Sequence, residues 1–173
     1  MADSPAPRTA EAVNLACFEV AGDLYAIEVG SIREIVRMAT VTPLPDAPSL
    51  IEGVVDLRGG LIPVVVLARV LDRERKPSGP RARIVVLDIG GLVLGLLVDS
   101  VADVLAVDAD RLEPVPELAT RKGGELVRHM ISRSGESPIL VLGVEGFVGR
   151  LGHTTSSHLV SAGEGIAAEG GGV

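Results

Sequence analysis

Short apolar runs broken by Gly, Pro and Asp set the pattern of this chain. Leu15 to Val20 and Leu24 to Ile27 flank Ala21-Gly22-Asp23, and Arg83 to Ile89 and Leu92 to Val98 flank Gly90-Gly91. Each pair reads as a β-hairpin, because glycine enters the φ > 0 region of tight hairpin turns at little cost. Gly53 to Leu57 and Leu61 to Leu67 form a third strand pair about Arg58-Gly59-Gly60, which puts Arg58 at an exposed strand end. Between Glu28 and Met38 the spacing changes: Val29, Ile32, Ile35 and Val36 predict one face of a short helix, with Arg33, Glu34 and Arg37 on its polar face. Pro43, Pro45 and Pro48 then interrupt any regular ladder.

Residues 69–83 change character, with Arg69, Arg73, Arg75, Lys76, Arg81 and Arg83 outnumbering Asp72 and Glu74 around Pro77, Ser78, Gly79 and Pro80. The expectation is a mobile, locally basic surface loop. Val101, Val104 and Val107, interspersed with Asp99, Asp103 and Asp108, predict a strand or strand pair with one wet face. A Pro-containing connector follows through Glu117, then a loop from Leu118 to Gly124. Leu126 to Ile131 predicts a helical turn, Pro138 to Leu142 a last buried strand and Val144 to Leu151 a short closing helix.

Val leads the apolar residues with 25 copies, and β-branched side chains in short runs favour strands, so the fold class is all-β. The repeated hairpins suggest two small barrels rather than one large sheet, since closure removes the exposed edges of strands this apolar. Residues 1–13 are expected to be a disordered N-terminal segment, 14–151 the folded domain, and 152–173 a disordered tail of Gly, Ala, Ser and Thr.

Charge and composition narrow the function. The formal net charge is −7, from 16 Lys+Arg against 23 Asp+Glu, which argues against a polyanion binder that works by counterion release. With no Trp, one Tyr and two Phe, the chain has few platforms on which sugars or bases could stack. Cys17 is the one cysteine, so neither an intramolecular disulfide nor a Cys-based metal cage can form. The first twelve residues hold no apolar signal-like stretch, and export is not expected. The runs Leu61 to Ala68 and Leu92 to Val98 are about a third of the ~20 residues of a membrane-spanning helix.

Catalytic groupings are thin. Cys17 falls in an alternating apolar strand and reads as core filler. Asp99, Ser100 and His129 are the one conceivable hydrolytic set, without a nucleophile elbow to support it. His153 and His158 have no evident third ligand. Gly59-Gly60 and Gly90-Gly91 fit no phosphate-binding fingerprint. Arg58 differs: its planar five-donor fork, set between two apolar strands, suits a partner carboxylate or carbonyl, with a local salt bridge to Asp56 or Glu52 as the other reading.

The stretch Gly53-Val54-Val55-Asp56-Leu57-Arg58-Gly59-Gly60-Leu61-Ile62-Pro63-Val64-Val65 resembles the G-h-x-N/D-L-R-G-x-h-h-P-h-h segment of the CheW-like domain of bacterial chemosensory coupling proteins. Tyr25 to Val29 with Ile32 to Ile35 resembles that family's first hairpin and helix, and Gly95 to Val101 its G-h-h-V-D-x-V strand. The resemblance covers about residues 14–151, with Val66 and Gly146 standing where the family often carries Asp and Lys.

What the resemblance implies is a pair of five-stranded SH3-like β-barrels packed side by side with short helices, and a cytoplasmic adaptor without catalytic residues, metal or cofactor. Its implied partners are the cytoplasmic tip of a chemoreceptor (a methyl-accepting chemotaxis protein), the regulatory domain of the histidine kinase CheA, and other CheW-like domains in rings, at membrane-bound receptor arrays. Neither nucleic acid nor membrane insertion is implied. Carried over by position, the partner-binding residues are Arg58, Ile32, Glu34, Gly53 and Gly95. Two rival readings are a detached CheA-type regulatory domain and a small-ligand-binding β-barrel, the latter disfavoured by the scarcity of aromatics.

Overall fold

In a computed structural model of the chain, which describes residues 11–116 and 126–151, eleven strands form two sheets. They are β1 (Ala12–Val20), β2 (Asp23–Glu28), β3 (Ile32–Arg37), β4 (Ile51–Leu57), β5 (Gly60–Val66), β6 (Arg83–Ile89), β7 (Leu92–Val98), β8 (Ser100–Asp108), β9 (Glu113–Pro114), β10 (Val127–Arg133) and β11 (Glu136–Leu142). Sheet 1 has the order β8-β1-β2-β11-β10-β9 and sheet 2 the order β3-β6-β7-β5-β4. The all-β class and two-unit architecture hold, with the two-residue β9 added to an otherwise five-stranded sheet 1.

The units are not successive halves of the chain. Sheet 2 is continuous from β3 to β7, whereas sheet 1 takes its first hairpin from one end of the chain and its other strands from the opposite end. Placing β8, β10, β11, β1 and β2 in the positions of β3, β4, β5, β6 and β7 turns one strand order into the other. The parallel pair falls at equivalent places, β5 with β7 and β11 with β2. Both sheets therefore share one topology, circularly permuted.

Turn chemistry explains three of the hairpins. Both central residues have positive φ in Ala21-Gly22, Arg58-Gly59 and Gly90-Gly91, as a two-residue turn matching the strand twist demands. Asp56 and Asp88 each accept a hydrogen bond from the amide of the second turn glycine, at 3.0 Å to Gly59 and 3.0 Å to Gly91. The strand pairs expected about these turns are all present.

Two helices expected from spacing are strands. Residues 32–37 form β3, entered through a single 3-10 turn over Val29–Ser31, because pairing with β6 satisfies backbone groups that a short isolated helix would leave open. Ile32, Glu34 and Val36 lie toward the barrel and Arg33, Ile35 and Arg37 toward solvent, a period of two that the apolar spacing masked. Residues 127–133 likewise form β10 against β11. The closing helix over 144–151 is present, and β1 begins at Ala12, two residues before the expected domain start. Residues 1–10, the loop around 118–124 and the tail from 152 onward lie outside the described residues.

The main apolar core fills sheet 2 and extends to sheet 1 through Phe18, Val20, Tyr25 and Ile27, and to the closing helix through Phe147. A smaller core of Leu15, Cys17, Ala26, Val107, Ile131, Ile139 and Val141 lies within sheet 1. Strands β1 and β2 therefore contribute to both cores, which accounts for the unbroken burial of Leu15 through Phe18.

Candidate partner-binding surface

Sheet 2 closes between its two edge strands. Thr42, just after β3, exchanges both backbone hydrogen bonds with Val54 of β4, at 2.8 and 2.9 Å. Gly53 makes this approach possible: a Cβ there would stand 2.1 Å from the Thr42 carbonyl oxygen, a distance no side chain tolerates. At the same seam Arg58, 84% exposed at the hairpin tip, donates to Glu34 Oε2 of β3 at 3.1 Å, while Glu34 is 24% exposed. The local partner of Arg58 is thus Glu34 rather than Asp56 or Glu52, because Asp56 is used by the turn amide and Glu52 by other arginines.

Three of the five expected site residues, Arg58, Glu34 and Gly53, come together at this seam. Ile32 lies two residues from Glu34 on β3, half-buried against the main core and opposite Leu87. Gly95 does not join them. It is buried mid-strand in β7 between Val64 and Val86, and a Cβ there would meet the Ile84 Cγ2 at 2.6 Å. Its place in the chemistry is internal fit.

Sequence reasoning missed two neighbours of the pair. Leu61, 71% exposed, follows the Arg58 hairpin, and Ile35 projects outward beside Glu34. By sequence Leu61 belongs to an apolar run and Ile35 to a helix face, and neither stands out as exposed. Both are exposed apolar side chains on the outer face of sheet 2.

The first part of the basic segment is tied down. It starts as α1 (Leu67–Val70), whose Leu67, Ala68 and Val70 are buried. Arg75 holds both oxygens of Glu52 at 2.8 Å, Arg69 reaches Glu52 at 3.3 Å, and Arg73 pairs with Asp23. The first part of the solvated loop expected there is thus a strap, because Glu52 and Asp23, distant in sequence, pair with Arg69, Arg73 and Arg75, while residues 76–81 are exposed as expected.

The conceivable hydrolytic set does not assemble. Asp99 accepts the Ala21 amide at 2.8 Å, Ser100 is buried at the start of β8, and no hydrogen bond joins them to His129 among the described residues. His129 instead lines an open cleft of about 220 Å³ with Leu15, Glu28, Leu112, Val141 and Glu145, below the usual ~300–1,000 Å³ of small-molecule sites. Burial first, then the Asp103 carboxylate, push the Cys17 thiol above its ordinary value, as befits core filler.

Two β-sheet units of permuted topology, one of them closed at a seam that carries an accessible arginine, are the architecture against which known proteins can be compared. The family model described as CheW-like domain matches residues 14–151. The chain is 31% identical over 138 residues to "Chemotaxis protein CheW" of Treponema pallidum, covering 78% of this chain and 81% of that protein. It is 32% identical over 127 residues to "Protein FrzA" of Myxococcus xanthus, covering 73% and 78%. The crystal structure of scaffolding protein TtCheW from Thermoanaerobacter tengcongensis superposes with a TM-score of 0.71 at 27% identity, covering 78% of this chain and 90% of that one. The chain belongs to the CheW-like domain family, whose members act as adaptors and scaffolds in chemotaxis signalling.

Proposed function

We propose that this protein is a cytoplasmic adaptor that couples chemoreceptor tips to the histidine kinase CheA within a signalling array and thereby controls the kinase. The observation that carries this reading is the Arg58–Glu34 pair at the sheet 2 seam, with Arg58 84% exposed and lying within the stretch Gly53–Val65 that most resembles the family. Ile32 and Glu34 supply the β3 side of the contact and Gly53 keeps the seam closed, while Gly95 acts through internal fit. A partner carboxylate or carbonyl would take the free donors of the guanidinium. Each contact can be modest, because an array adds avidity. Among the described residues no helix is long and apolar enough to cross a membrane, so the array tie is assigned to protein contacts.

Calorimetric titration against a cognate CheA regulatory domain and a receptor cytoplasmic fragment tests this. Saturable binding to both is expected, weakened by about 1 to 3 kcal/mol in Arg58→Glu with the fold intact. Binding to receptor alone would favour the detached regulatory-domain reading. Undiminished affinity of the variant for both partners would remove Arg58 from the interface.

A further inference from the structure

The strap between β5 and β6 reaches across to sheet 1 by a device that its local geometry makes specific. Helix α1 ends with the Asp72 amide bonded to the Arg69 carbonyl at 3.2 Å and the Arg73 amide to the Ala68 carbonyl at 2.7 Å, with Asp72 at φ 53°. This is a Schellman ending, which reverses the chain sharply after the helix. Buried Leu67, Ala68 and Val70 anchor the helix beneath it. The reversal aims Arg73 at β2 of sheet 1, where its guanidinium pairs with Asp23.

A second contact grips the same hairpin from the other side. Asp99 is the one residue between β7 of sheet 2 and β8 of sheet 1. Its amide donates to the Glu19 carbonyl at 3.0 Å, and its carboxylate accepts the Ala21 amide at 2.8 Å. The β1–β2 turn is thus held on both flanks by residues leaving sheet 2. Arg150 of the closing helix also donates to the Val70 carbonyl of α1 at 2.7 Å.

We infer that Arg73 and Asp99 are positioning residues that set the angle between the two sheets, and so the placement of the Arg58 surface of sheet 2 relative to sheet 1. Apolar burial in the shared core holds the sheets together, but it is non-directional and accepts rotation more readily than separation. Charge-assisted hydrogen bonds are short and directional, so they fix the angle even where partial exposure limits their energy. The geometric part stands on the structure alone, and its consequence for signalling rests on the adaptor reading above.

The test uses the full chain with spin labels on Leu92→Cys in sheet 2 and Ala106→Cys in sheet 1, both exposed positions, while Cys17 is buried. The label-to-label distance distribution should be narrow in the parent and broader or shifted in Arg73→Ala and Asp99→Ala, with Arg73→Lys restoring it. Each variant should bind an isolated CheA regulatory domain and an isolated receptor fragment within about twofold of the parent, yet lose on the order of tenfold in assembling the two together. An unchanged distribution in both alanine variants overturns the inference. So does a thermal-denaturation loss in Arg73→Ala that Arg73→Lys restores without restoring the distance, since that pattern marks a purely structural contact. A parent that binds neither partner would end the adaptor reading, while the label distances would still decide the geometric part.

Discussion

Sheet 1 and sheet 2 have the same strand order under permutation, yet they are built from different material. Sheet 2 is continuous in sequence, closes by the Thr42–Val54 bridge, and opens onto a core of large aliphatic side chains shared with Phe18, Tyr25 and Phe147. Sheet 1 is assembled from both ends of the domain, and its own core is a short list of Leu, Ile, Val, Ala and Cys side chains without an aromatic. Sheet 1 therefore draws much of its stability from the face of β1 and β2 turned to the main core. One consequence is that damage to the shared core should be felt by both sheets, while damage to the small core should stay local.

The largest expected effect tests that asymmetry directly. Phe147→Ala removes a ring with no exposed surface from the shared core and should cost about 3 to 5 kcal/mol. Val141→Ala in the small core should cost about 2 kcal/mol, from the two methyl-sized groups lost. Chemical denaturation gives both values, and hydrogen exchange shows whether protection falls in both sheets for the first and in sheet 1 alone for the second. Equal costs with equal spread would mean that the two cores act as one.

Next in size is the contrast between two glycines of sheet 2. At Gly53 an added Cβ meets carbonyl oxygen and carbon of Thr42 at 2.1 and 2.7 Å, and the backbone cannot yield without opening the closure bridge. At Gly95 the obstacle at 2.6 Å is the Cγ2 methyl of Ile84, a fully buried β-branched side chain that must shift within the packed core, whereas the backbone of β5 and β6 stays in place. Gly53→Ala should cost about 3 kcal/mol or more and Gly95→Ala about 2 kcal/mol by overpacking. A Gly95→Ala loss matching that of Gly53→Ala would show that the interior of β7 is as rigid as the seam.

A smaller effect separates the cores by pH. The thiol of Cys17 is raised in the folded protein by burial and by Asp103, so the unfolded chain loses its proton first. The stabilising share is intact below the unfolded value of about 8.5 and is lost as pH rises from there through the folded value. Unfolding measured between neutral pH and pH 10 should fall less steeply in Cys17→Ala than in the parent. Parallel slopes would mean that the small core opens to solvent before the chain unfolds.

The same contrast governs what could be read in the sequence. The tight hairpins of β1–β2, β4–β5 and β6–β7 were legible because their turns announce themselves through Gly and their strands are adjacent in sequence. Strands β3 and β10 were read as helical because their apolar spacing is ambiguous over six or seven residues, and long-range pairing decided the outcome. The permuted order was invisible, since nothing local says that β2 will lie beside β11. Arg58 could be placed at a tip from its turn, but its partner Glu34 lies 24 residues away and emerges only when the sheet closes. The arginines of the basic segment suffered the same limit: composition reveals charge and is silent on the Asp23 and Glu52 that neutralise it.

The smallest expected effect sharpens the comparison at the two equivalent hairpin tips. In sheet 1 the β10–β11 turn is Ser134-Gly135, with positive φ confined to the glycine among these two. In sheet 2 the equivalent tip puts Arg58 at φ 54°, in a left-handed conformation where Asn or Gly is the favoured occupant. An exposed pair with Glu34 returns at most about 1 kcal/mol, roughly what the backbone conformation costs. Arginine at this tip is thus no better for the fold than asparagine, which agrees with the proposed role of Arg58 as a partner contact. Arg58→Asn should leave unfolding free energy unchanged or higher by up to about 1 kcal/mol while weakening partner binding. A loss of stability instead would show that the ion pair with Glu34 holds the seam closed, and would move the purpose of Arg58 from the partner back to the barrel.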